Sequence, residues 1–151
     1  MKLSLEWHPR TRGELIAGLA DALEALVRID VREIRSHALP ELYSSGVVYE
    51  PEDGSERWLG ASMVLERGAA DCEDLAAWLA AQRRIEGDRT ARAFPMIVGI
   101  TPTGVMQIHI VVQSMRGIED PSVVLGMGNY PRRMAVKPVL EGLRWSSRSY
   151  C

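Results

Sequence analysis

The chain has 151 residues, 46% of them hydrophobic and 25% charged, with a mean hydropathy of −0.08 and a formal net charge of −2 at pH 7. These values suit a globular protein with a proper core and leave room for one domain, residues 1–151, rather than two. A near-neutral balance gives no global attraction to nucleic acid or an anionic membrane, and no apolar run approaches the roughly 20 residues of a membrane-spanning helix.

Charge is unevenly spread. Between residues 41 and 74 nine acids face only Arg57 and Arg67, whereas residues 129–151 hold five bases against Glu141. Both read as solvated faces, and the basic tail lacks the aromatic interleaving of a nucleic-acid reader. Lys2 is followed by Leu3, Leu5 and Trp7, which do not make a signal-peptide core. Two cysteines, Cys72 and the last residue Cys151, do not look like a disulfide framework, so the expected setting is the cytoplasm with both thiols reduced.

In chain order, Leu15, Leu19, Leu23, Leu26 and Val27 recur at helical spacing and predict a first helix over residues 14–28. A short second helix is expected over 31–38, stopping before Pro40. Periodicity then fails from 40 to 68, where Gly46, Pro51, Asp53-Gly54 and Gly60 punctuate a long loop; such a loop usually wraps a site. The next helix, from Asp71 to about Ile85, is apolar on every side through Leu75–Ala81 and is therefore expected to be buried on every side. Two strands follow, 92–100 and 105–114, with a last strand around 134–139. Helices first and strands after them indicate an α+β fold.

Three residues stand out in this order. Asp71 is a suitable N-cap, with Asp74 as the reciprocal half of a capping box, which puts Cys72 at the first helical position. There the unpaired backbone N–H groups and the helix dipole favour a thiolate. A cysteine in an alanine-rich helix is also, commonly, just a small hydrophobe.

His109 lies in Met106-Gln107-Ile108-His109-Ile110-Val111-Val112-Gln113, where even positions make a core face and His109 shares the other face with Gln107 and Gln113. Asp120, held extended by Pro121, meets His109 only under one turn geometry. A two-residue turn at 116–117 leaves it about 13 Å away along the strand, whereas a loop over 114–117 sets it opposite Val111, about 7–8 Å diagonally from His109. Glu119 then points to the other face. Asp71, Glu73 and Asp74, taken as solvated, oppose a thiolate by about 1 kcal/mol each, less than the roughly 4 kcal/mol from a contacting imidazolium. The expected Cys72 Sγ to His109 separation is within about 4.5 Å.

Together, Gly68-Ala69-Ala70-Asp71-Cys72-Glu73-Asp74-Leu75-Ala76, His109 in a strand and Asp120-Pro121-Ser122 resemble the transglutaminase-like (papain-like) cysteine superfamily. The nearer resemblance is to short transglutaminase-like proteins of tailed bacteriophages and prophages, through Leu42-Tyr43-Ser44-Ser45-Gly46-Val47-Val48-Tyr49 and Glu119-Asp120-Pro121-Ser122; it covers about residues 40–128. Ala70 departs from the pattern, since such proteins carry glycine there.

The resemblance implies a transglutaminase-like or cysteine-protease-like core, in which N-terminal helices and a buried Cys-bearing helix pack on an antiparallel sheet. It implies Cys72 as nucleophile, His109 as general base and then acid, and Asp120 as the residue that orients the imidazole, with a thioester intermediate and no cofactor or metal. The Cys72 backbone N–H would serve the oxyanion. Trp58 would add an indole N–H or cover the site, unless it simply plugs the core. The substrate class is a peptide, protein or other amide, in the cytoplasm of a bacterial host. The alternative is a non-enzymatic phage assembly or virion protein, virion-associated and partnered by phage structural proteins.

Overall fold

The computed structural model describes residues 2–3, 9–51, 57–102, 105–129 and 137–140. A two-residue strand β1 (Lys2–Leu3) precedes the long helix α1 (Arg12–His37). Thr11 caps α1 by accepting the Glu14 N–H at 3.1 Å, and the four leucines and the valine of the predicted stripe are all buried.

α1 is one helix of 26 residues, where the sequence suggested a break near Ile29-Asp30. Asp30 does not start a second helix. Its side chain is fully buried and accepts the Ala61 N–H at 2.8 Å, serving a different helix altogether.

A 3-10 turn, Leu42–Ser44, leads to β2 (Val48–Tyr49), then β3 (Trp58–Leu59), α2 (Ala61–Arg67) and β4 (Ala69–Ala70). The segment expected to be loop thus holds a two-turn helix. Its first N–H groups are satisfied from α1: Asp30 takes Ala61, and Glu33 takes the Ser62 N–H at 2.9 Å and hydroxyl at 2.7 Å. Gly68, at φ 76°, ends it in the left-handed conformation that glycine tolerates.

α3 (Cys72–Ile85) is buried without interruption from Cys72 to Gln82, as its all-round apolar surface requires. It packs against α1 and against β5 (Arg92–Ile100) and β6 (Val105–Ser114), the two long strands read from the sequence. β6 also pairs antiparallel with the short β7 (Gly117–Glu119) and with β8 (Lys137–Leu140). The strand expected over 134–139 therefore overlaps β8, its first residues lying outside those described. α4 (Pro121–Val124) follows β7. β1 pairs antiparallel with β3, and β2 pairs parallel with β4. The architecture is α+β, with helices on the face of an antiparallel sheet formed by Met106, Ile108, Ile110 and Val112. Among the described residues no helix is long and apolar enough to cross a membrane.

Candidate active site

Gly68 turns the chain out of α2 into β4, whose parallel pairing (Val48↔Ala69, Tyr49↔Ala70) and Glu50 N–H to Ala70 C=O bond deliver it to the start of α3. Cys72 is the first helical residue and Asp71 occupies the cap position with an extended backbone, as the sequence indicated. The capping box does not form, however. The Asp71 side chain makes no capping bond, and Asp74 Oδ1 instead accepts the Leu59 N–H at 2.9 Å, tying α3 to β3.

Two further expectations fail around Cys72. Its sulfur is disulfide-bonded rather than reduced. Asp71, Glu73 and Asp74 are not solvated; all three are buried, Glu73 completely, and Glu73 Oε2 lies 3.1 Å from Cys72 Sγ. The signal was available in the sequence: a helix buried on all sides buries the acids of its first turn as well.

On the sheet, β7 returns from β6 through a two-residue turn, Met115–Arg116, with Ser114↔Gly117, Gln113↔Ile118 and Val112↔Glu119 paired. The turn is tighter than the four-residue loop considered, yet the register is the one that sets Asp120 beside His109. His109 Nε2 and Asp120 Oδ2 are 2.8 Å apart. The other Asp120 oxygen accepts the Val123 N–H at 3.2 Å and so caps α4. A carboxylate only accepts, so Nε2 carries the shared proton and, in the neutral ring, Nδ1 holds the lone pair. His109 Nδ1 is buried and has no hydrogen-bond partner.

His109 and Asp120 are thus brought together, while no hydrogen bond joins His109 to the disulfide-bonded Cys72. The two halves share an anchor. β2 pairs with β4 immediately before Cys72, and its Tyr49 N–H bonds the Leu125 C=O, at 2.9 Å, at the end of the helix that Asp120 begins. Trp58 is buried in the core cluster beside Leu59, in line with a packing role. Tyr43, whose phenol is pushed above its ordinary pKa by burial and then by the Glu119 charge, also senses Asp120; sequence reading gave it no role. Among the described residues no group of three or more His, Cys, Asp or Glu side chains is arranged to hold a metal ion. The basic tail and Cys151 lie outside the described residues.

No family model matches the chain, and no curated protein or solved structure matches it either.

Proposed function

We propose that the reduced protein is a cysteine-dependent acyl-transfer enzyme of transglutaminase-like type, acting on an amide or peptide. The observation that carries this reading is the state of His109: one ring nitrogen is held by Asp120, and the other is buried and unpartnered. That is the arrangement a general base requires, because the carboxylate fixes the tautomer and leaves the opposite nitrogen to take a proton.

Cys72, at the first position of α3, supplies the nucleophile once its disulfide is reduced. Its sulfur attacks the carbonyl carbon while the thiol proton passes to His109. The C–N bond breaks as that proton reaches the leaving amine, and a thioester remains. Water completes hydrolysis; an amine completes transamidation. The Cys72 backbone N–H, at the start of α3, would serve the developing oxyanion. Hydrolysis is favoured over cross-linking.

The test is intact-mass capture of an acyl adduct on reduced protein, using a broad panel of peptide, amide and activated-ester substrates, with peptide mapping to Cys72. Cys72→Ala and His109→Ala should abolish the adduct, and Asp120→Asn should slow it by on the order of 10²-fold or more. A second reading, a phage assembly or virion protein that keeps this fold without chemistry, is favoured by one observation: Cys72 has no exposed surface and its sulfur is already bonded. If reduced Cys72 neither forms an adduct nor reacts with iodoacetamide, that reading replaces the first.

A further inference from the structure

β7 is only three residues long, it pairs with β6 through three residue pairs, and Gly117 and Ile118 are exposed. A ribbon that short is marginal by itself. Three side chains from one stretch, residues 83–88 at the end of α3, hold it in place. Asp88 Oδ2 accepts the Met115 N–H at 2.6 Å, Glu86 Oε2 accepts from Arg116 at 2.9 Å, and Arg83 Nε donates to both Glu119 carboxylate oxygens at 2.8 and 3.0 Å. Arg83 also donates to Glu86, at 3.1 Å, which links two of the three contacts.

These contacts differ in weight. The Arg116 side chain in its pair with Glu86 is 61% exposed, and an ion pair in that setting contributes little. The Arg83 and Glu119 side chains are 12% and 18% exposed, and a nearly buried, charge-assisted contact to both oxygens is both stronger and more directional. It also falls at the decisive position. Glu119 points toward α3, and its neighbour Asp120 points to the opposite face, where His109 lies. Pinning Glu119 therefore fixes the rotation of the strand at the residue before Asp120. The Val123 N–H holds Asp120 from the following side.

We propose that Arg83 and Glu119 are positioning residues that set the Asp120 carboxylate against His109, an inference that rests on the acyl-transfer reading for its chemical consequence. The Cys72-bearing helix thereby carries, in its last turn, the side chain that aligns the His109–Asp120 pair.

The experiment compares the wild type, Glu119→Gln, the charge swap Arg83→Glu with Glu119→Arg, and Arg84→Met. The last breaks a similar ion pair, Arg84 to Glu24 at 2.6 Å, one residue further along the same helix and aimed away from the hairpin. Two readouts are taken on reduced protein: the His109 side-chain Nε2–H signal by nitrogen-edited NMR, and the rate of Cys72 acylation by an activated ester. Glu119→Gln should broaden or lose the Nε2–H signal and slow acylation by about tenfold. The charge swap should restore most of both, and Arg84→Met should change neither at a comparable melting temperature. An unmoved His109 signal in Glu119→Gln, or equal effects of Glu119→Gln and Arg84→Met, would overturn the proposal. If the wild type forms no adduct at all, the enzyme reading fails, and the NMR comparison still decides whether the pair positions Asp120.

Discussion

Glu73 and Cys72 are adjacent and both fully buried. With the carboxyl 3.1 Å from Cys72 Sγ and no exposed surface, two negative charges there would repel by about 5 kcal/mol at an effective dielectric near 20. A charged Glu73 carboxylate would therefore oppose formation of a thiolate on the reduced sulfur. Glu73→Gln should then speed iodoacetamide alkylation of reduced Cys72 by about tenfold, the equivalent of ~1.4 kcal/mol. An unchanged rate would mean that the carboxyl carries no charge beside the sulfur. Asp30 is a second buried acid, and burial raises its pKa well above the ordinary value despite the Ala61 N–H. The folded chain therefore keeps a proton that the unfolded chain releases near pH 4, and Asp30's contribution to stability is full below that pH and lost as the pH rises toward the folded value. Asp30→Asn has no such slope. The urea midpoint of the wild type, measured against Asp30→Asn, should fall between pH 4.5 and pH 7.5; parallel midpoints would refute the assignment.

Helix α2 shows how an element can be invisible in its own residues. Its start, Gly60-Ala61-Ser62, carries no local cap, because the caps arrive from Asp30 and Glu33 on α1, about thirty positions earlier. Glu33→Ala should cost about 1 kcal/mol, as loss of a cap does, and should raise amide exchange across residues 61–67 before the rest of the chain responds. Gly60→Ala should mimic it, since a methyl there would stand 2.7–3.0 Å from the Glu33 carboxylate. Asp30, at the break expected between residues 28 and 31, lies inside one continuous α1 and caps a different helix. Elements whose evidence is their own periodicity were legible: the α1 stripe, the all-apolar α3, and the alternating β5 and β6. Cys72 at the helix start and His109 off the core face were legible for the same reason. Contacts made by folding were not. The Glu73 carboxyl beside the sulfur, the Arg83–Glu119 pair and the tight Met115–Arg116 turn depend on distances that no local pattern encodes.

For the molecule as a whole, α3 is the hub, packed on α1, β5 and β6 with Trp78 at zero exposure. Ala76, Ala77, Ala80 and Ala81 are all fully buried, and their small side chains let the neighbouring layers approach closely. Ala80→Leu adds three carbons where nothing can yield, so it should destabilise by roughly 1–3 kcal/mol, read as a lower urea midpoint at unchanged slope. A midpoint equal to the wild type would show that this layer has slack. Leu23→Ala, on the facing helix, should cost about 2–5 kcal/mol by leaving a cavity at the same interface.

The β6–β7 turn sits at the surface, with Met115 75% exposed, the kind of site at which chains usually accept added residues. This one obeys a parity rule. As long as the turn keeps two residues, adding one between Met115 and Arg116 shifts the return strand by one position and exchanges the faces of Glu119 and Asp120, turning the acid meant for His109 toward Arg83. Adding two residues lengthens the tip but restores both faces. Length variation here should therefore come in steps of two, so that a solvent-facing turn behaves, under mutation and over evolutionary time, as if it were core.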